Sequence, residues 1–211
     1  MTRDWYGWHD DYDRPGSPLA RRLTEVQRLV GAALDAAPPG PLRAVSLCAG
    51  QGRDLIPVLA EHPRAGDVTA RLVELDPRNA EVAAEAVRAA GVTGVEVLVD
   101  DAARTDLYRD LVPADLVLLC GIFGNVSDAD VHAAVRYSAA LCATGGTVLW
   151  TRHRRDPDLV PTICDWFAQA GFAPVEVSAP ADGVGVGAHR HLGTPRPLPS
   201  GVRMFEFVAG A

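Results

Sequence analysis

Apolar positions along the chain fall alternately into helical stripes and short continuous runs. The first stripe places Leu19, Leu23, Val26, Leu29, Val30, Ala33 and Leu34 on one face. Ser17 stands at its cap position, Pro18 at its first turn, and Pro38-Pro39-Gly40-Pro41 ends it. Ala44 to Leu47 then reads as a buried strand, interrupted at Gly50-Gln51-Gly52. A helical pattern resumes through Arg53, Asp54, Leu55, Val58 and Leu59 and closes at His62-Pro63.

The alternation continues. Strands are predicted over Thr69–Glu74, Gly94–Val99, Asp115–Cys120 and Gly146–Thr151. Helices are predicted over Pro77–Ala90, with Gly91 as stop, Ala103–Leu111, Asp128–Leu141 and Asp158–Ala170. Phe172–Val177 and Val202–Val208 read as two last strands, and residues 179–200 as a Gly-, Pro-, His- and Arg-rich loop joining them. A loop of that length points to function. Strand and helix in turn predict an α/β fold: a Rossmann-like, doubly wound, mostly parallel sheet covered on both faces. The last two strands, with no helix between them, are expected to pair antiparallel.

Composition fits one domain spanning residues 1–211, without repeats or a low-complexity linker. Residues 1–40 form an aromatic arm and helix, 42–151 the ligand-binding core, and 152–211 the C-terminal strands with an acceptor-side loop. No apolar run reaches membrane-spanning length and the N-terminus lacks a signal-peptide pattern, so a soluble cytoplasmic protein is expected. The net charge of −7 argues against nucleic acid as the main partner. Cys48, Cys120, Cys142 and Cys164 are widely spaced in apolar surroundings and read as buried free thiols. All basic residues are arginine, which excludes lysine chemistry.

In an open α/β sheet, ligands bind outside the carboxyl ends of the strands. Three features converge there. The Gly50/Gly52 turn lets backbone approach a ligand. Glu74 ends the next strand, where a carboxylate can accept from ribose hydroxyls. Asp100-Asp101-Ala102 ends the third. Asp76 reads as the cap of the helix beginning at Pro77.

With these residues in place, the chain resembles the class I S-adenosylmethionine (SAM) methyltransferases, over residues 42–151 in motifs and to the C-terminus in strand order. Leu47-Cys48-Ala49-Gly50-Gln51-Gly52-Arg53-Asp54 is similar to the family's glycine motif. Val73-Glu74-Leu75-Asp76-Pro77 is similar to the ribose motif, and Asp100-Asp101-Ala102 to the adenine motif. Cys120-Gly121-Ile122-Phe123-Gly124-Asn125 stands where the family's motif follows the fourth strand. The resemblance implies a cofactor site formed by Ala49, Gly50, Gln51, Gly52, Glu74, Leu75, Asp101, Ala102, Cys120, Gly121 and Asn125, with S-adenosylhomocysteine (SAH) as product. Two positions depart from the pattern. Ser46 replaces an acidic residue, leaving the methionine-end ammonium short of one acidic neighbour, and Cys48 replaces the first glycine. A nicotinamide site fits worse, because the third glycine of its fingerprint would fall at Leu55 and no hydride-handling constellation follows.

The motifs of DNA-base methylation are missing, which with the acidic charge favours a small-molecule acceptor. Arg152-His153-Arg154-Arg155 follows the fifth strand, while His189-Arg190-His191 and Arg196 lie in the long loop. Arginines meeting at the carboxyl edge predict an acceptor bearing carboxylate or phosphate. Pairing with Asp156, Asp158 and Asp182 is the bland alternative. His153 and His189 are the candidate bases, with Arg152 beside them, whereas His62 and His132 read as structural. No metal constellation is expected, since His9, Asp10, Asp11 and Asp13 read as a solvated acidic segment. Trp5, Tyr6, Trp8 and Tyr12 suggest either ordinary packing or a lid that excludes water. The expected activity is methyl transfer from SAM to an O- or N-nucleophile of a small, anionic molecule. A non-catalytic SAM-binding sensor or scaffold is the second reading, kept open by Ser46 and Cys48.

Overall fold

A computed structural model describes residues 4–208. Its sheet has seven strands: β1 Leu42–Leu47, β2 Val68–Glu74, β3 Val95–Val99, β4 Ala114–Leu119, β5 Cys142–His153, β6 Phe172–Val177 and β7 Val184–His191. Their order is β3-β2-β1-β4-β5-β7-β6. The first five run parallel, and β7 inserts antiparallel between β5 and β6. The helices are α1 Trp5–Trp8, α2 Pro18–Ala36, α3 Ile56–Glu61, α4 Pro77–Ala90, α5 Asp128–Leu141 and α6 Val160–Gln169.

Alternate strand residues face opposite layers. Ala44, Leu72, Leu116, Leu118 and Leu149 pack with Val26, Leu29 and Val30 of α2, Leu59 of α3 and Ala83 of α4. Val45, Leu47, Val73, Val117, Val148 and Trp150 pack on the other side with Val131 and Val135 of α5 and Ile163 and Phe167 of α6. Among the described residues, no helix is long and apolar enough to cross a membrane.

Several element ends follow from local chemistry. Ser17 Oγ accepts from the Ala20 N–H at 2.9 Å, ahead of Pro18. The Asp76 carboxylate accepts from the Arg78 N–H at 2.9 Å, and Gly91 ends α4 in the left-handed region at φ 66°. Both ends of α4 are where the sequence predicts them.

Two expectations are corrected. Val202–Val208 is not a strand: it makes isolated bridges at Arg203 and Phe207, to Arg104 and Val126. The seventh strand instead lies inside the expected 179–200 loop, at Val184–His191. Its glycines disguise it. A Cβ on Gly187 would come within 2.3 Å of the Trp150 ring, and one on Gly185 within 2.6 Å of Val160. The strand carries glycine because the indole lies against its backbone.

Candidate active site

A cavity of about 1240 Å³ opens at the carboxyl ends of β1, β2 and β4, beside the point where strand order reverses between β1 and β4. Its floor is the turn after β1. Cys48 has φ 52°, so although it replaces a glycine it adopts the left-handed backbone a glycine would. Gly50 (φ 55°) and Gly52 (φ 68°) continue the turn. The Gly52 N–H donates to the Ala49 carbonyl at 2.9 Å, and the Gly50 N–H to Glu74 Oε2 at 2.8 Å. Glu74 Oε1 accepts from the Asp76 N–H at 2.9 Å. Burial raises the Glu74 carboxyl above the usual range, opposed by those two N–H groups.

Ala49, Gly50, Gln51, Glu74, Leu75, Asp101, Ala102, Cys120 and Gly121 all line the cavity. Gly52 lies beneath the turn, where a Cβ would strike Ile56 and Leu72. Asn125 is set back: its Nδ2 donates to the Gly121 carbonyl at 2.6 Å, holding the loop after β4 in shape. Asp101 accepts from the Ala103 N–H at 3.1 Å and pairs with Arg203 at 2.8 Å. Ser46 is buried within β1 and supplies no charge to the cavity.

The basic cluster lies elsewhere. Arg152, His153 and His189 are not cavity-lining residues. Arg152 donates to the Phe123 carbonyl and pairs with Asp128 at 3.5 Å, bracing the loop after β4. Arg154 is tied to Asp158 at 2.6 Å and to the Ser178 carbonyl. His153 packs beside Gly124, and its Nδ1 accepts from the Arg155 N–H at 3.3 Å. Burial, then Arg152 and Arg155, lower its pKa.

His189, a candidate base from sequence, is instead a core residue of β7. Its ring is fully buried, stacks on Phe167 at 4.6 Å, and accepts at Nδ1 from Trp150 Nε1–H at 3.1 Å. His191 stacks on Phe172 at 4.5 Å. His62 pairs with Asp35 at 3.2 Å and His132 stacks on Trp166 at 4.8 Å.

The histidine that does line the cavity is His9. Trp5, Trp8 and Tyr12 line it too, together with Phe205, Phe207 and Val208 of the C-terminal segment, so both chain ends roof the turn. His9 Nδ1 is 2.7 Å from the Trp5 carbonyl. A carbonyl only accepts, so Nδ1 carries the proton and Nε2 presents a lone pair. Nε2 lies 2.4 Å from where a Gly50 Cβ would stand. Burial lowers the His9 pKa, opposed by the bond to Trp5, so the ring is neutral near pH 7.

Arg22 of α2 and Asp54 also line the cavity, with Arg22 against the Trp8 and Tyr12 rings of the roof. The predicted helix start at Arg53 is displaced: α3 begins at Ile56, and the Leu55 and Ile56 N–H groups return to the Gly52 carbonyl. Asp54 therefore sits in a turn on the cavity wall. The aromatic density of the arm was a signal that could have found His9. Nothing in the helical pattern distinguished Arg22 or Asp54.

No protein-family model and no curated protein matches the chain, but solved structures share its fold. An O-methyltransferase family protein from Burkholderia thailandensis superposes with TM-score 0.67 at 19% identity, covering 90% of this chain and 60% of that one. The chain thus spans about three-fifths of that protein's length. The magnesium protoporphyrin IX methyltransferase of Synechocystis, solved with bound SAM, gives TM-score 0.62 at 13% identity, covering 87% and 89%. The 1,6-didemethyltoxoflavin-N1-methyltransferase of Burkholderia thailandensis, solved with bound 1,6-didemethyltoxoflavin and SAH, gives 0.62 at 16%, covering 88% and 83%. The chain has the fold that these methyltransferases share.

Proposed function

We propose that the protein is a SAM-dependent methyltransferase acting on an O- or N-nucleophile of a small molecule. The observation that carries this reading is the Glu74 carboxylate at the end of β2, anchored by the Gly50 N–H at 2.8 Å beside a glycine turn. A further feature fits such a cofactor: two buried polar atoms of cavity-lining residues, Asp54 Oδ1 and Asn79 Nδ2, lack hydrogen-bond partners among the described residues.

SAM supplies an electrophilic methyl carbon on a sulfonium. Glu74 would hold the ribose, Asp101 and Ala102 the adenine, and Gly50 and Gln51 the methionine side. His9 is the base in this reading: its Nε2 takes the proton of the acceptor O–H or N–H, while the Trp5 carbonyl holds Nδ1–H and steadies the resulting imidazolium. Trp5, Trp8, Tyr12 and Phe207 exclude water from that transfer. The anionic character expected of the acceptor was drawn from Arg152, His153, Arg154 and Arg155 with His189, Arg190, His191 and Arg196; Arg152 and Arg154 lend it no support, being committed to Phe123, Asp128, Asp158 and Ser178.

Transfer of labelled methyl from SAM to panels of phenols, carboxylic acids and amines tests the activity, with calorimetric titration of SAM and SAH alongside. Binding with transfer to one class is expected. Absence of binding by both at millimolar concentration would end the reading, and binding without transfer to any class would favour a sensor.

A further inference from the structure

Arg53 lies between the glycine turn and the N-terminal arm, and its guanidinium is engaged on both sides. Toward the arm, Nη1 and Nη2 donate to the two carboxylate oxygens of Asp13 at 2.6 and 2.9 Å. Toward the turn, Nε donates to Gln51 Oε1 at 2.9 Å, and Gln51 Nε2 donates in turn to Asn79 Oδ1 at 3.2 Å. Arg53 fixes the polarity of this chain. A guanidinium only donates, so the Gln51 carbonyl must face it, and the Gln51 N–H groups are left to face the Asn79 carbonyl. Asn79 is fully buried near the start of α4. The Arg53 carbonyl is held as well, by Gln27 Nε2 of α2 at 2.7 Å.

An exposed ion pair usually contributes little, because two long side chains must be ordered to make it. Here the ordering is done beforehand on the Arg53 side, by the buried amides and by the Tyr12 ring 5.7 Å from the guanidinium. The paired contacts to Asp13 fix orientation as well as distance. The ion pair nearer the start of the arm, Arg78 with Asp4 at 3.1 Å, has more than half of both side chains exposed and lacks such support. Asp13 ends the short 3-10 turn that His9 begins. A clamp on Asp13 therefore also sets where His9 stands. That placement is close: Nε2 lies 2.4 Å from where a Gly50 Cβ would be, so the ring rests directly on the glycine turn.

We propose that Arg53 is a positioning residue for the base: by clamping Asp13 it holds His9 in register with the glycine turn, so that the floor of the cavity and the base move as one body. This rests on the methyltransferase reading and on His9 as its base. Asp13, read from the sequence as part of a solvated acidic segment, is then the arm's half of the clamp.

The test is a cycle of variants of the full chain, assayed with SAM and the phenol, carboxylic acid or amine that the wild type methylates. Asp13→Ala removes the arm's half of the clamp at a side chain 67% exposed, where damage to folding is least. It is expected to lower kcat about 10- to 100-fold, the scale of effect for a reacting group misplaced by about 1 Å, with KM for SAM near the wild-type value. Asp13→Glu still offers two oxygens to the guanidinium and is expected to recover most of the rate. In a His9→Gln background, Asp13→Ala is expected to change nothing further, because the group it positions is gone. Unchanged kcat in Asp13→Ala, or an undiminished loss in the His9→Gln background, would overturn the assignment and leave the methyltransferase reading standing. Arg53→Gln, checked by its thermal melt, is the second variant. Adding Asp13→Ala to it should slow turnover no further, and additive losses would also overturn the clamp. A wild type that transfers methyl to no acceptor class would end both proposals.

Discussion

The Trp5 and Phe207 rings meet edge to face, centroids 5.9 Å apart at 84°. This contact joins the N-terminal arm to the C-terminal segment over the cavity. Neither segment belongs to the sheet, yet each supplies residues to the cavity wall. The roof is a contact between chain ends resting on short local elements. The arm is tied by Arg53 on Asp13 at 2.6 Å, Arg22 on the Tyr12 hydroxyl at 2.5 Å and Arg78 on Asp4 at 3.1 Å, and the C-terminal segment by the Val208 N–H on the Asn125 carbonyl and the Met204 N–H on the Ala103 carbonyl, both at 2.9 Å.

Such an aromatic pair is worth about 0.5–1.5 kcal/mol beyond area burial, enough to bias a roof and too little to set the stability of the fold. Trp5→Ala should therefore speed hydrogen exchange of amides 4–14 with little change in global unfolding. SAH should slow the same amides in the wild type. Exchange of the arm that is insensitive to both would rule out its role as a lid.

His9 should leave a signature in the pH dependence. Its pKa lies below the ordinary value of 6.5, so kcat/KM should rise through an acid limb below that pH and be flat above it. His9→Gln should lose the limb and about 10²–10⁴ in rate. Retention of the limb in that variant would assign the base elsewhere.

Asp54 should cost stability at neutral pH. Its folded pKa of about 6 stands above the ordinary 3.8. The folded state thus binds more protons than the unfolded state between those values, and stability falls as pH rises through that window. The full effect is roughly 3 kcal/mol. Asp54→Asn should abolish this slope and unfold at higher urea concentration than wild type at pH 7.5. An identical pH slope in wild type and variant would contradict it.

His189 should act on stability with the opposite sign. Burial takes its pKa from 6.5 to about 4. Here the unfolded state binds more protons, so the contribution is complete above pH 6.5 and is lost as pH falls toward 4, up to roughly 3 kcal/mol. His189→Phe keeps the stack on Phe167 and should remove the acid-labile component. It should leave methyl transfer within a few-fold of wild type, and a collapse of turnover in a folded variant would return His189 to the catalytic group.

Much of the scaffold can be read from local signals. Helix α4 is bounded by an Asp cap, a proline and a left-handed glycine, and each acts within a turn or two of its own position. Glu74 was placed by its position at a strand end, since the strand's direction dictates where that carboxylate emerges. Strand β7 could not be read this way. Gly185 and Gly187 carry the composition of a loop, and their reason is the Trp150 ring, a residue distant in sequence. His189 changed character with it, from a loop base to a stacked core ring.

The sequence by itself determined the alternating elements, the parallel sheet and the acids at the ends of β2 and β3, because periodicity and capping are short-range. Only the tertiary structure decided which side chains share the cavity. His9 comes from the arm, Arg22 from α2, Asp54 from the turn before α3, and Phe207 from the far end of the chain. Their convergence depends on packing between segments up to about two hundred residues apart, which no local pattern records. The same packing turned Arg152 and Arg154 away from the acceptor role their spacing suggested, since buried guanidinium groups must find carbonyl and carboxylate partners wherever the fold supplies them.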